Sequence, residues 1–366
     1  MIAGKDKITP GQLMFVIIQA QIGVNILFLP SSVESVASSD AWISVSLAGI
    51  TTMILILAIW GLSRRFPGMI LFDYLPLLLG KPIGTIVHLV FAASFIAECS
   101  LTSLLFVNAV RDWIFPNTPK SIVLILILAV SLYMARENLR AIARFFVLTF
   151  GLIFLMIFIA TYAYKEADIM YILPINQAGI PSIIKGALFS MNSFFGYEML
   201  FFCYPYVQGK SRTILKAVFY ANTFSVLVYV YLVFTCLLVF TPEEIKIIPQ
   251  PILYMVKALS FTIIERADLY FLTIWTVVVT STIMAYLFMS ARSVSSLFGM
   301  KNHAGTTPFV TLIVFCISLY PHNQDMVNRL KSIVGILGSV SFVTLPIVLL
   351  CISYLFKVQR KESAEG

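Results

Sequence analysis

Two carboxylates in this chain stand where charge is least expected. Residues 193–202 read SFFGYEMLFF, with Glu198 inside an otherwise apolar run. Glu98 lies midway along the apolar stretch 84–110. The other fifteen of the 17 acidic residues fall in loops or at the ends of apolar stretches. A carboxylate at bilayer depth costs at least ~2.5–3.5 kcal/mol on insertion scales, so its first reading is functional: a partner for an ammonium group, or a site that takes up a proton. The alternative is a neutral Glu hydrogen-bonded between helices. Polar clusters accompany glycines at two places. Gln19, Gln21, Gly23 and Asn25 are followed by Pro30, and Asn192, Ser193, Gly196 and Glu198 by Pro205. Glycine weakens a helix interior by about 1 kcal/mol, and polar side chains beside it can satisfy the backbone groups that a break releases. Both clusters therefore predict interrupted helices.

The elements that would position these groups are membrane spans. The chain is 366 residues long, 60% hydrophobic and 11% charged, against about 25% charged residues in a soluble domain. Ten apolar stretches are candidates, at 11–36, 41–63, 84–110, 119–135, 141–164, 181–206, 213–240, 267–291, 306–320 and 332–356, since crossing the hydrocarbon core takes roughly 20 residues. With the N-terminus in the cytoplasm, sixteen of the 25 Lys and Arg residues fall inside. This positive-inside bias puts both termini in the cytoplasm. No cleavable signal peptide is expected from the polar opening MIAGKDKITP.

Spans one and six occupy corresponding places in two five-helix halves of opposite direction. The expected architecture is an all-α integral membrane protein, one transporter-like domain over residues 1–366, with a first repeat at about 11–164 and an inverted second repeat at about 181–356. Two ordinary helices with glycine packing faces are the alternative. In span three, Ser94, Glu98 and Thr102 share one face, and in span eight Thr273, Thr276 and Thr280 do so, with Ser281 and Thr282 beside them. Gly335 and Ser339 in span ten read as a packing contact without chemistry. The segment 241–266 is expected to form one or two short helices over the outer vestibule. The five cysteines lie in apolar runs and predict neither disulfides nor metal. His88, His303 and His322 are scattered. With no nucleophile–base pair, metal cluster or cofactor motif, neither an enzyme nor a cofactor is expected, and the short basic loops hold no nucleic-acid fold.

Several stretches in one order resemble the B subunits of spore germinant receptors, the endospore germination permeases of the amino acid–polyamine–organocation superfamily. They are GVNILFLP (23–30), FPGMILFDYLPLLLGKPIG (66–84), FFGYEMLFFCYP (194–205), TPEEIK (241–246), IERADLYFLTIW (264–275) and SLYPHNQ (318–324). The resemblance implies ten helices in a LeuT-like five-plus-five inverted repeat, with ligand between broken helices one and six. It also implies an A-type membrane subunit and a C-type lipoprotein as partners, the inner spore membrane as location, and sensing of a small nutrient, commonly an amino acid. Asn25 stands where the family often has a small residue.

A zwitterionic amino acid in such a site would place its carboxylate on the free amides at Val24 and Asn25, where a half-helix begins. Its ammonium would meet the carbonyls near Ala20 and Gln21. Around these stand Gly23, Glu98, Thr102, Ser193, Phe194, Gly196, Tyr197 and Glu198, with Phe194, Phe195 and Tyr197 on the apolar side. Glu198 would pair with the ammonium or take up a proton. A coupling cation, if there is one, would lie among Ala20, Gly23, Thr280 and Ser281. A coupled amino acid symporter of the same fold shares nearly every one of these features, and a water or ion conduit within a receptor shares many.

Overall fold

A computed structural model describes residues 6–258, 266–300 and 302–359. The outer segment 241–266 and the motif at 264–275 run partly outside these, as do Lys5, Lys301, Arg360 and Lys361. The described chain is helical, and its one β-bridge joins Ile8 to Val207. Six segments are long and apolar enough to cross a membrane, including Lys81–Trp113, Ser211–Val239 and Ala267–Leu297.

The first apolar stretch is divided. Helix α1 (Pro10–Gln21) starts with Pro10 in its first turn and a capping box in which Thr9 and Gln12 satisfy each other's backbone amides. It stops at Gln21, and α2 (Asn25–Ala37) starts after Ile22, Gly23 and Val24. The sixth stretch is divided more heavily. Helix α8 (Gly179–Ser190) passes into a tight 3₁₀ turn at Met191–Phe194. Phe195 and Gly196 leave the helical conformation, and a second 3₁₀ turn, Tyr197–Met199, leads into the short α9 (Leu200–Cys203).

The remaining long helices are α3 (Ala41–Arg65), α5 (Lys81–Trp113), α7 (Leu139–Thr161), α10 (Ser211–Val239) and α13 (Ala267–Leu297). Helices α6 (Lys120–Ala135) and α14 (Thr307–Leu319) are shorter. Between α3 and α5 lies α4 (Leu71–Leu79), which packs on α5 and which the span pattern did not anticipate. The tenth stretch begins earlier than expected. Helix α15 (Gln324–Gly338) starts where Asn323 caps the amide of Met326, then passes through a π turn at Ser339–Thr344 into α16 (Leu345–Leu355). Its polar first half kept it out of a hydropathy reading. In the outer segment, α11 (Pro242–Ile247) and α12 (Pro251–Ala258) form and pack against α2.

Helix α1 is sheathed by α7, α10 and α13, and α2 by α8. The two divided stretches therefore meet at the centre, away from lipid. At one end the bridge closes a seam: Ile8 donates to Tyr206 O at 2.9 Å, and Gln208 donates to Ile8 O at 2.9 Å. Arg65 ties α3 to the carbonyls of Ser353 and Val358.

Candidate functional site

The gap between α1 and α2 frees backbone groups, and neighbouring helices collect them. Thr282 on α13 donates its hydroxyl to the carbonyls of Gln19 (2.8 Å) and Ile22 (3.1 Å). Tyr229 on α10 donates to Gln21 O at 2.9 Å. The Gln21 side chain is fully engaged: Nε2 donates to Phe194 O (3.0 Å) and to Asn222 Oδ1 (2.9 Å), while Oε1 accepts from Ser225. Asn222 hands on to Gly49 O. One buried chain of hydrogen bonds thus links the first gap, the second gap, α10 and α3. Asn222, Ser225 and Tyr229 were not singled out in the sequence, yet their i, i+3, i+7 spacing on one face is a legible signal.

The second gap is held by its own residues. Gly196 has φ +123°, a conformation that favours glycine. A methyl group there would lie 2.5 Å from the carbonyl carbon of Ala20 and 2.6 Å from the amide nitrogen of Gln21. Glu198, fully buried, folds back so that Oε2 accepts from Gly196 N at 2.7 Å, and its Oε1 accepts from the Tyr286 hydroxyl at 2.9 Å.

Two cavities that share part of their lining lie at these gaps. The inner pocket, about 20 Å³, is lined by Ala20, Gln21, Gly23, Val24, Asn25 and Glu98, together with Thr102, Asn192, Ser193, Phe195, Thr282 and Tyr286. The outer one, a vestibule of about 660 Å³, shares Asn25, Glu98, Asn192 and Ser193 with it and is walled on the far side by α15. Glu98 is half-buried and makes no hydrogen bond or ion pair with a described residue.

Most of the expected ligand residues converge here: Gln21, Gly23, Val24, Asn25, Glu98, Thr102 and Ser193 line one cavity or both. Four do not. Phe194 packs its ring edge-on against Tyr229, 5.2 Å away, and Tyr197 donates its hydroxyl to Phe342 O; Phe195 is the aromatic that faces the pocket. Gly196 and Glu198 also lie behind the lining, and Glu198 reaches it only through Tyr286. The expected ammonium partner at 198 is therefore a brace, and Glu98 is the carboxylate that faces the cavity. The expected cation set is likewise not assembled. Thr280 and Ser281 donate back to Thr276 O and Val277 O within α13, and Thr280 borders an apolar cleft facing α5 and α6. Thr282 is the α13 residue that reaches the gap. Gly335 and Ser339, read as mere packing, line the vestibule, whereas no residue of α11 or α12 does. Ser94 pairs with Ser341 at 2.6 Å and is structural. Other buried carboxylates serve structure: Asp40 accepts from the amides of Asn176 and Ala178, and Asp268 pairs with Arg266 at 2.8 Å.

A family model described as "Spore germination protein" matches residues 7–327. The chain is similar to spore germination protein GerQB of Bacillus cereus, 28% identical over 360 residues, covering 97% of this chain and 98% of that protein. It is also similar to spore germination protein YndE of Bacillus subtilis (strain 168), 25% identical over 360 residues, covering 96% and 98%. Among solved structures, it superposes on MHP1, a nucleobase-cation-symport-1 family transporter in a closed conformation with bromovinylhydantoin bound, with TM-score 0.71, 10% identity and coverage of 96% and 80%. MhsT in complex with L-phenylalanine gives TM-score 0.71, 14% identity and coverage of 95% and 89%. At these identities the structural likeness is one of fold, that of all-helical transporters.

Proposed function

The chain belongs to the spore germination protein family, and from that premise we propose that it is the nutrient-sensing membrane subunit of a germinant receptor. In this reading α1 with α2, and α8 with α9, are broken helices one and six of ten spans arranged as two inverted five-helix repeats. The ligand is a small nutrient, an amino acid being the class that suits the site. The protein lies in the inner spore membrane with both termini in the cytoplasm, works with an A-type membrane subunit and a C-type lipoprotein, and performs no covalent chemistry.

The observation that carries the reading is a 660 Å³ vestibule that shares Asn25, Glu98, Asn192 and Ser193 with the small pocket at the gap between α1 and α2, the carboxylate of Glu98 having no ion-pair partner among the described residues. A volume of that size is within the usual range of small-molecule sites. With the N-terminus inside, the Ile8–Val207 seam closes the cytoplasmic side and the vestibule faces outward. Sensing requires only that the ligand bind one conformation better than another, each tenfold preference shifting their balance by about 1.4 kcal/mol.

The test uses spores of the source organism lacking their other nutrient receptors, with this gene intact or deleted, exposed to amino acids, sugars and nucleosides. A nutrient response that depends on the gene supports the reading. No dependence on any nutrient overturns it in favour of a coupled symporter, the second reading, which the transporter identity of the fold's solved neighbours favours. Uptake of labelled amino acids into liposomes then tests that reading.

A further inference from the structure

The vestibule carries one cation, Lys331, that has no ion-pair partner among the described residues. Along α15, Asn328, Lys331, Ser332 and Gly335 line it, with Ser339 at the start of the π turn; the four on α15 stand at i, i+3, i+4 and i+7, the spacing of a single helix face. Among the described residues, Lys331 and Glu98 are the charged members of that lining. Neither forms an ion pair among the described residues. The Lys331 ammonium instead stands 5.5 Å from the centre of the Phe28 ring, one helical turn beyond Asn25. Glu98 marks the opposite end: its Oε1 would lie 3.2 Å from a methyl group on Gly338. The seven residues from Lys331 to Gly338 rise about 10 Å along the helix. Leu101, Leu105 and Phe189 contribute apolar wall between the two charges, and such surroundings strengthen electrostatic contacts relative to water.

The inner pocket is too small to decide the ligand. Its 20 Å³ holds about one water molecule, so the carboxylate and side chain of an amino acid do not fit in the gap between α1 and α2 while Phe195 stands in its wall. Selection must occur in the vestibule, before the gap opens.

We propose that the vestibule is a recognition site for amphoteric solutes, with Lys331 taking the ligand's anionic group and Glu98 its ammonium, so that the ligand enters cation first. This rests on small-solute binding as read above, and not on the signalling step. It places the carboxylate on α15 rather than on the amides that open α2, and it disfavours sugars, nucleosides, simple amines and simple carboxylic acids.

The experiment uses the full chain in lipid nanodiscs and calorimetric binding of free amino acids, each compared with its primary amide and its decarboxylated amine. Free acids are expected to bind, and removal of the carboxylate to weaken binding about 10- to 100-fold, the range for losing one charge-assisted contact. Lys331→Met is expected to bind acid and amide alike, at the affinity that the unaltered chain has for the amide, which also shows that the variant is folded. Lys331→Arg keeps the preference for the acid. Glu98→Gln weakens acid and amide together and leaves their ratio unchanged. The proposal is overturned if amides bind the unaltered chain as tightly as acids, if Lys331→Met retains the preference, or if no free amino acid binds. Gene-dependent germination by a sugar or nucleoside would remove this inference while leaving the sensing function standing. Lys331-dependent binding without any gene-dependent germination would do the reverse.

Discussion

The two gaps at the centre of the molecule are built by different means. The gap between α1 and α2 is held from outside, by Thr282 of α13 and Tyr229 of α10, which take up the carbonyls of Gln19, Ile22 and Gln21. The gap at Phe195 and Gly196 is held from within, by a glycine at positive φ and by Glu198 folding back two residues onto its amide. Their steric limits differ in the same sense. A methyl group on Gly23 would meet the Thr282 side chain at 2.9 Å, whereas one on Gly196 would meet the backbone of Ala20 and Gln21 at 2.5–2.6 Å. A side chain can rotate away and a packed backbone cannot. The first gap is therefore adjustable through its neighbours, and the second is a fixed pivot against which it bears.

The largest effect expected from this contrast is at Gly196. Gly196→Ala combines a disfavoured backbone conformation with a backbone clash, and should cost about 3 kcal/mol or more. Thermal unfolding of the purified protein in nanodiscs measures it, and a change within experimental error would remove the pivot. Next comes Thr282→Val, which leaves the carbonyls of Gln19 and Ile22 short of a donor and should cost about 1–3 kcal/mol.

Gly23→Ala should fall in a similar or lower range, about 1–2 kcal/mol. Combining it with Thr282→Ser should recover part of that loss, because serine drops one of the two atoms that would lie 2.9 Å from the new methyl, the Thr282 methyl, and keeps the other, the hydroxyl. No such truncation can rescue Gly196→Ala, and a rescue there would collapse the distinction between the two gaps. Smaller still, Glu198→Gln and Tyr286→Phe should each cost about 1 kcal/mol. Their double variant should cost less than the sum, since both break one hydrogen bond. Additive losses would show that Glu198 is held independently of Tyr286. Gly335→Ala, whose methyl would meet only Asn192 Nδ2 at 3.2 Å, should stay within about 0.5 kcal/mol.

Much of this was legible in the residues themselves. The interruptions near Gly23 and Gly196 followed from polar clusters beside glycine in apolar runs, because hydrocarbon leaves freed backbone groups no other partners. The convergence of Gln21, Asn25, Glu98 and Ser193 followed from their isolation within apolar runs. What misled was the direction of individual side chains. Glu198 looked like a ligand residue because a buried carboxylate requires a partner, but the partner is the amide two residues before it. Thr280 and Ser281 were favoured over Thr282 as neighbours of a cation, yet each residue turns a helix by about 100°, so one step decides whether a hydroxyl meets the gap or its own carbonyls. Lys331 was passed over because the polar first half of α15, Gln324 to Lys331, fell outside any apolar window.

Sequence alone determined that this is a helical membrane chain, and that Glu98 and Glu198 lie within apolar stretches. Those features rest on local composition and on the cost of exposing backbone or charge to lipid, and they hold whatever the neighbours are. Only the tertiary structure decided that Glu98 faces the cavity and Glu198 does not, that Thr282 closes the first gap, and that Lys331 stands across the vestibule. Each of those depends on the rotation of one helix against another, which side-chain packing sets and no single stretch of sequence contains.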